Sequence, residues 1–359
     1  MSRAGNKQVV ITATTAISPV GFTVEQTCAS IRAGVARFAE HAFYESIPYD
    51  PESDEGEPLL ASPVATIDPD LEGPERLLAL AMPPLAEVLI NGQLKRKELP
   101  NGGLFLALPE SDEVTRTWDL EDRFISELCA RTGLQSFKIT KTNQVGHTGM
   151  FSLINEAVGL LHADEIGYCI VGGIESYLMN ERVQLLDEAW RLKSQRNVDG
   201  FVPGEAGVIL LLETVDHAEA RQVPARAAIS DIGFGRETQT FSSDKSSSGK
   251  GLAQAFKGVL PAESENGKVR WVICDLNGEN YRAFEWGIIL TRLGRQFANL
   301  EKLVHPADCV GDVGAASAGL FIAMAEQALA RNYGTGDRPL IWCSSNNGER
   351  AACLVGRPD

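Results

Sequence analysis

The 359-residue chain is 44% hydrophobic, enough to bury a large core, and its Pro and Gly content gives no sign of general disorder. Its formal charge of -15 argues against nucleic acid and anionic membrane surfaces as partners. Seven cysteines (Cys28, Cys129, Cys169, Cys274, Cys309, Cys343 and Cys353) show no CxxC pair, which points to buried thiols in a reducing compartment. Only Arg3 and Lys7 precede the apolar run Val9 to Ile17, no cleavage pattern follows it, and no apolar stretch reaches the ~20 residues of a membrane helix. A cytoplasmic protein is expected. His41, His162, His217 and His305 lack metal spacing, so neither metal nor cofactor is expected.

In chain order, Val9 to Ala16 (VVITATTA) is a β-branched run suited to a buried strand. Tyr44 to Pro63 is acidic and rich in turn residues, and predicts a surface loop. Gly103 to Leu108 predicts a second strand. A helix is predicted from near Gly146 to about Leu161, with Phe151, Ile154, Val158 and Leu161 at helical spacing, followed by a strand at Ile166 to Val171. The second half repeats the pattern: strands at Ala227 to Ile232 and Arg270 to Asp275, a helix from Gly311 to about Leu329, and a strand at Pro339 to Cys343. Gly146-His147-Thr148-Gly149 opens one helix and Gly311-Asp312-Val313-Gly314 the other. Tandem βαβ units predict an α/β chain with two halves, 1–216 and 217–359, whose parallel sheets share central helices. Ser246 to Gly251 (SSSGKG) faintly suggests a phosphate loop, but no P-loop pattern is present and a solvated loop fits better.

Several stretches resemble β-ketoacyl synthases of the thiolase superfamily. Residues 9–38 are similar to that family's opening strand, Ser-Pro-x-Gly turn and helix. GFVPGEAGVILLLE (200–213) closely matches the segment ending the family's first half, where the glutamate of Gly204-Glu205 is mostly structural. IGYCIVGGIES (166–176), GDVGAASAGLFIAMAEQAL (311–329) and SSNNGERAACLV (344–355) extend the likeness across nearly the whole chain. The resemblance implies a thiolase-like fold, duplicated halves forming a layered αβαβα sandwich.

The catalytic positions depart from the family. Its nucleophile is a cysteine at a helix N-terminus, where the dipole favours thiolate; matching back from Asn155-Glu156-Ala157 places His147 there. The first family histidine, in a His-Gly-Thr-x-Thr stretch, is matched by Asn277, whose amide can donate a hydrogen bond but cannot shuttle a proton. The second, in a Gly-His motif, becomes Asp312, or Gly311 itself if no gap is allowed. The aromatic Gly-Phe-Gly-Gly gate reads Asn346-Asn347-Gly348-Glu349-Arg350, with two added charges.

Two readings follow. In the first, the chain is a catalytically degenerate, non-catalytic subunit, adaptor or scaffold, and His147 is a helix-start histidine bonded to backbone. In the second, an acyl-thioester-processing enzyme (acyltransferase, decarboxylase or hydrolase) has a rebuilt site in which His147 and Asp312 form a general base, with Glu279 and Cys309 as accessories. Cys309, on an approach that reads as strand, also fits a buried structural thiol. The resemblance further implies a homodimer in which the third strand of the first half pairs with its twin, a role that IGYCIV is apolar enough to fill. It also allows a protein partner: a carrier protein, an active synthase subunit, or a secretion or assembly component. Carrier proteins are acidic, so Lys95-Arg96-Lys97 and the Arg182, Arg191, Lys193, Arg196 group are candidate docking patches; a solvated helix face is the alternative.

Overall fold

The computed structural model describes residues 7–49, 56–134, 137–260, 268–334, 336 and 338–359. The first half contains β1 (Val9–Ile17), α1 (Val24–Arg32), β2 (Ala39–Ser46), β3 (Glu57–Ala61), α2 (Gly73–Asn91), β4 (Gly102–Ala107), α3 (Leu120–Thr132), β5 (Ile139–Asn143), α4 (Gly149–His162), β6 (Tyr168–Ser176), α5 (Asn180–Glu188) and β7 (Glu205–Thr214). After α6 (Val215–Ala220) come β8 (Ala227–Arg236), α7 (Lys250–Lys257), β9 (Val269–Cys274), α8 (Asn280–Leu293), β10 (Phe297–Val304), α9 (Ala307–Val310), α10 (Ser317–Ala330), β11 (Leu340–Ser344) and β12 (Glu349–Gly356).

The strands run β10-β9-β11-β12-β8-β1-β7-β6-β4-β5 in a continuous ten-stranded sheet. From each outer edge inward, the order within a half is third, second, fourth, fifth, first, so the two halves are topological copies. They meet at β1 and β8, where only Val10↔Ala228 and Ile11↔Ala227 pair. That narrow seam lets the sheet fold into two layers.

Strand alternation shows the layering. In β4, Phe105 and Ala107 face a core shared with Ile273, Ile341 and Cys353 of the second half. Leu104 and Leu106 face the other way, onto Leu77, Leu85 and Phe124 of α2 and α3. In the second half Val272 and Trp342 pack outward against Phe256 and Trp286 of α7 and α8. Both strand faces are covered, which is why these strands read as unbroken apolar runs. Helices α4 and α10 lie between the layers, and α10 is buried from Ser317 to Leu329. The result is a five-layer α/β sandwich.

Four expectations change. The sheets are mixed: β4 pairs parallel with β5 and β6, but β7 runs antiparallel to β6 and β1. The Tyr44 to Pro63 stretch is not simply a loop, because β2 and β3 form a two-stranded ribbon with Leu59 buried; residues 50–55 of that stretch lie outside the described residues. IGYCIV contributes to β6, an interior strand hydrogen-bonded to both β4 and β7, so it has no free edge to offer a twin. The half's outer edge is β5, whose polar sequence ITKTN hid it. Finally, the helix openings are offset. A 3-10 turn at Gly146–Thr148 leads into α4, and its counterpart before α10 is Gly314–Ala316, not the turn containing Asp312. Gly173 allows this packing, since a Cβ there would stand 2.2 Å from the Ala315 carbonyl oxygen.

Candidate functional site

The turn Gly146–Thr148 holds His147 between the layers, only 1% exposed. Gly146 sits at φ 69°, a left-handed bend that suits glycine. Opposite it, Asp312 lies between α9 and α10. Its amide donates to the Val202 carbonyl at 2.8 Å and its carbonyl accepts from Gly204 N–H at 2.9 Å, so the GFVPGEAG segment fixes it in place. Glu205 is indeed structural, accepting Arg76 at 2.7 Å and Val64 N–H at 2.8 Å.

The structure brings His147, Asn277 and Asp312 together. His147 Nε2 is 2.8 Å from Asp312 Oδ1, which also accepts Gly314 N–H at 2.8 Å. Asn277, in the loop after β9, donates from Nδ2 to Asp312 Oδ2 at 2.7 Å and to Glu279 Oε2 at 3.0 Å. Glu279 joins them, held by Arg191 in a two-pronged ion pair of 2.7 and 2.8 Å. Cys309 does not join them. It lies on the helical turn α9 rather than a strand, and its thiol faces the Ile31 carbonyl at 3.9 Å within the apolar core.

Two further groups complete the cluster. Arg282, on the first turn of α8, donates to Asp275 Oδ2 at 2.6 Å and to the Ser344 carbonyl at 2.8 Å. Its other terminal nitrogen lies 3.5 Å from His147 Nε2. Asp275 also accepts Ser344 N–H at 2.6 Å. Arg191 and Arg282 thus stand among Asp275, Glu279 and Asp312, with the His147 imidazole held between Asp312 and Arg282.

That arrangement sets the protonation. Burial pushes the His147 imidazole down, but the Asp312 carboxylate outweighs it and the net shift is upward, with Arg282 opposing. Burial likewise favours the neutral form of Asp312, yet His147, Arg282 and the Gly314 amide hold it well below the usual carboxylate range. Glu279 is lowered too, its burial offset chiefly by Arg191. Every cysteine is a free thiol, and burial raises each above the ordinary value. Burial thus disfavours the thiolate form of each, and none of the seven belongs to the His147 cluster.

The closing loop is strapped down. Ser345 Oγ bonds Thr148 N–H at 3.0 Å, the Thr148 hydroxyl at 2.8 Å and the Val145 carbonyl at 2.6 Å. Glu110 accepts both Asn346 nitrogens (3.0 and 2.9 Å) and Asn347 N–H (2.7 Å). Arg191 reaches Asn346 Oδ1 at 3.1 Å. The two charges expected at an acyl entrance are engaged elsewhere: Arg350 is buried against Glu285 at 3.0 Å, and Glu349 pairs with Arg236. The cavity beside Asp312, lined by Asp275, Asn277, Val310, Gly311 and Phe321 among others, amounts to about 10 Å³. Such a space holds about one water.

Sequence reasoning missed Arg282, Asp275, Glu110 and Ser345, and it read Arg191 as part of a candidate docking patch, whereas Arg191 pairs with Glu279 inside the cluster. The Glu279-x-x-Arg282 spacing just after a strand was the available signal. The SSSGKG stretch has a structural role: the Glu237 carboxylate accepts Thr238, Gln239 and Gly251 amides and the Ser248 hydroxyl at the start of α7. Among the described residues no group of three or more His, Cys, Asp and Glu side chains could hold a metal ion.

No family model matches the chain, and no curated protein does. Solved structures do match. One is a type II polyketide synthase acyl-carrier protein in complex with its ketosynthase bound to the hexaketide (AntDE:AntF), at 14% identity and a TM-score of 0.76, covering 99% of this chain and 100% of that one. The ishigamide ketosynthase/chain length factor matches at 15% identity and a TM-score of 0.75, covering 99% and 100%. The ketosynthase from module 6 of the Bacillus subtilis 168 bacillaene synthase matches at 14% and 0.74, covering 98% of this chain and 72% of that one. At such identities the likeness establishes the fold: this is the thiolase-like fold of ketosynthases.

Proposed function

We propose that the chain is a catalytically silent ketosynthase-fold subunit that acts through a protein partner. The observation that carries this reading is the filled site. Where a working relative would need a thiol, two imidazoles and room for a thioester, His147, Asn277 and five acidic and basic side chains interlock, and the cavity beside Asp275, Asn277 and Asp312 has room for about one water. Opening it would expose or unpair charges whose partners are buried or, for Arg191, nearly so, a cost of several kcal/mol for each broken buried pair.

The His147–Asp312 pair supports a second reading, with His147 as a base in acyl transfer or hydrolysis, because 2.8 Å is good geometry for an orienting carboxylate. Three features weigh against it: the imidazole is sealed from solvent, its raised pKa favours the protonated form, and Arg282 stands at its Nε2. A thioester panel monitored for thiol release separates the readings. Silence predicts release at the buffer rate, while turnover that His147→Ala abolishes without unfolding would establish the second.

Partnership through β5 is the expected assembly, with a second copy or an active synthase subunit pairing along the edge. Its outer side carries no strand among the described residues. Light scattering of the purified chain tests the homodimer. A reducing, cytoplasmic setting accords with the seven free thiols, and among the described residues no helix is long and apolar enough to cross a membrane.

A further inference from the structure

The β2–β3 ribbon is interrupted near its base. Ala39 and Glu40 pair with Ala61 and Leu60, and Glu45 and Ser46 with Pro58 and Glu57, so His41, Ala42, Phe43 and Tyr44 stand opposite Leu59 alone. Such a bulge leaves backbone amides without a ladder partner. His41 supplies one. Its Nδ1 accepts Phe43 N–H at 3.3 Å and Tyr44 N–H at 3.0 Å, and its Nε2 lies 3.0 Å from the Leu178 carbonyl, in the turn between β6 and α5. Amides only donate and a carbonyl only accepts, so these neighbours select one neutral tautomer, bare at Nδ1 and protonated at Nε2. A second ring proton sets an N–H against two N–H donors.

The charges facing the ring do little to welcome that proton. Arg76 of α2 and Glu205 of β7 pair with each other at 2.7 Å and act on the imidazole in opposite directions. On its own strand, exposed Glu40 lines the same groove of about 200 Å³. The Tyr44 ring stands edge-on at 6.3 Å, its hydroxyl donating to Asp187 of α5 at 3.1 Å. Burial holds the imidazole below its ordinary 6.5, opposed by the Leu178 carbonyl and Glu205 and assisted by Arg76.

We propose that His41 is a proton-operated latch: uptake of a proton at Nδ1 frees the Phe43 and Tyr44 amides and opens the base of the β2–β3 ribbon. The closed form binds the proton less tightly than the open one, so the latch is fully held above about pH 6.5 and yields as pH falls through the lower value of the closed form. The ribbon is one wall of a small separate core, in which Tyr44 and Leu59 pack with Val183, Leu192 and Phe201. Leu192 follows Arg191, which holds Glu279 and lies 5.4 Å from the Phe201 ring centroid. Release at residues 43 and 44 therefore removes support from the segment that carries Arg191 into the buried cluster. The latch uses neither His147 nor Asp312, so the inference stands whether or not the chain is catalytically silent.

The test follows amide exchange at Phe43 and Tyr44 in the full chain at about pH 7.5 and about pH 5, normalised to unstructured-peptide rates, while NMR titrates the His41 ring. Wild-type protection at both amides should fall about tenfold or more on acidification. His41→Asn keeps a side-chain acceptor ahead of the same amides and takes up no proton, so its protection should change less than about twofold. His41→Ala should be poorly protected at both pH values. An acid response in His41→Asn equal to that of the wild type overturns the proposal. So does a ring that titrates at or above 6.5, or Phe43 and Tyr44 amide signals that do not follow its midpoint; both are read on the wild-type chain and decide the matter even if a variant fails to fold.

Discussion

Replacing Asp312 with Asn removes one charge from the buried network while keeping the side chain's shape. Asp312 accepts from His147, Gly314 and Asn277, at 2.8, 2.8 and 2.7 Å. An amide retains one acceptor oxygen, so its NH₂ must face at least one of those donors. Hydrogen bonds to charged groups contribute about 1.5–3 kcal/mol each, and leaving one member of a buried ion pair uncompensated costs about 3–5 kcal/mol. A loss of about 3–5 kcal/mol is therefore expected near pH 5.5, read by urea denaturation. The pH dependence sharpens the test. The folded imidazole binds its proton more tightly than an unfolded histidine, whose ordinary value is 6.5. Its contribution is complete below that value and fades as pH rises through the folded one. Asp312 is depressed from 3.8, so its contribution is present above that pH and disappears as pH falls through its folded value. The pair therefore stabilises most between about pH 4 and pH 6.5, and the wild-type advantage over Asp312→Asn should shrink toward pH 9. A loss below about 1 kcal/mol, or one identical at both pH values, would refute the network as described.

Two other perturbations probe the surroundings. Glu110→Gln weakens three contacts to the closing loop, so amide exchange at Asn346 and Asn347 should accelerate about tenfold or more, with a global loss of about 1–3 kcal/mol; unchanged exchange would show that the strap does not hold the loop. Native alkylation with iodoacetamide should label Cys129, the one thiol that is not buried, well before the other six, and rapid labelling of Cys309 would contradict its place in the core.

The sequence exposed the parts of the fold governed by simple periodicity. Strands β4, β6, β9 and β11 are covered on both faces and read as apolar runs, and α4 and α10 show helical spacing. β5 escaped because an edge strand of Ile, Thr, Lys, Thr and Asn has little apolar pattern. The β2–β3 ribbon was mistaken for a loop because its sequence is acidic and turn-rich and only alternate residues such as Leu59 and Ala61 turn inward. α2, which carries Pro83 and Pro84 inside the helix, was not anticipated. At the site, motif comparison pointed to His147, Asn277 and Asp312, the positions matched to the family's catalytic set, and to Glu279 as a neighbour of Asn277; the structure brings the four side chains together. Asp275 and Arg282 bracket the loop between β9 and α8, while Arg191 comes from a distant segment; they acquire meaning as charge partners once the layers close. The pairing of Arg191 with Glu279 is a tertiary property that no local pattern encodes.

The most direct test of a silent site is intact-mass spectrometry of the purified chain after prolonged exposure to an acyl-pantetheine thioester, with an active ketosynthase as positive control. The expected spectrum is the unmodified mass under conditions that fully acylate the control. A stable acyl adduct, mapped to His147 or to any cysteine, would contradict it.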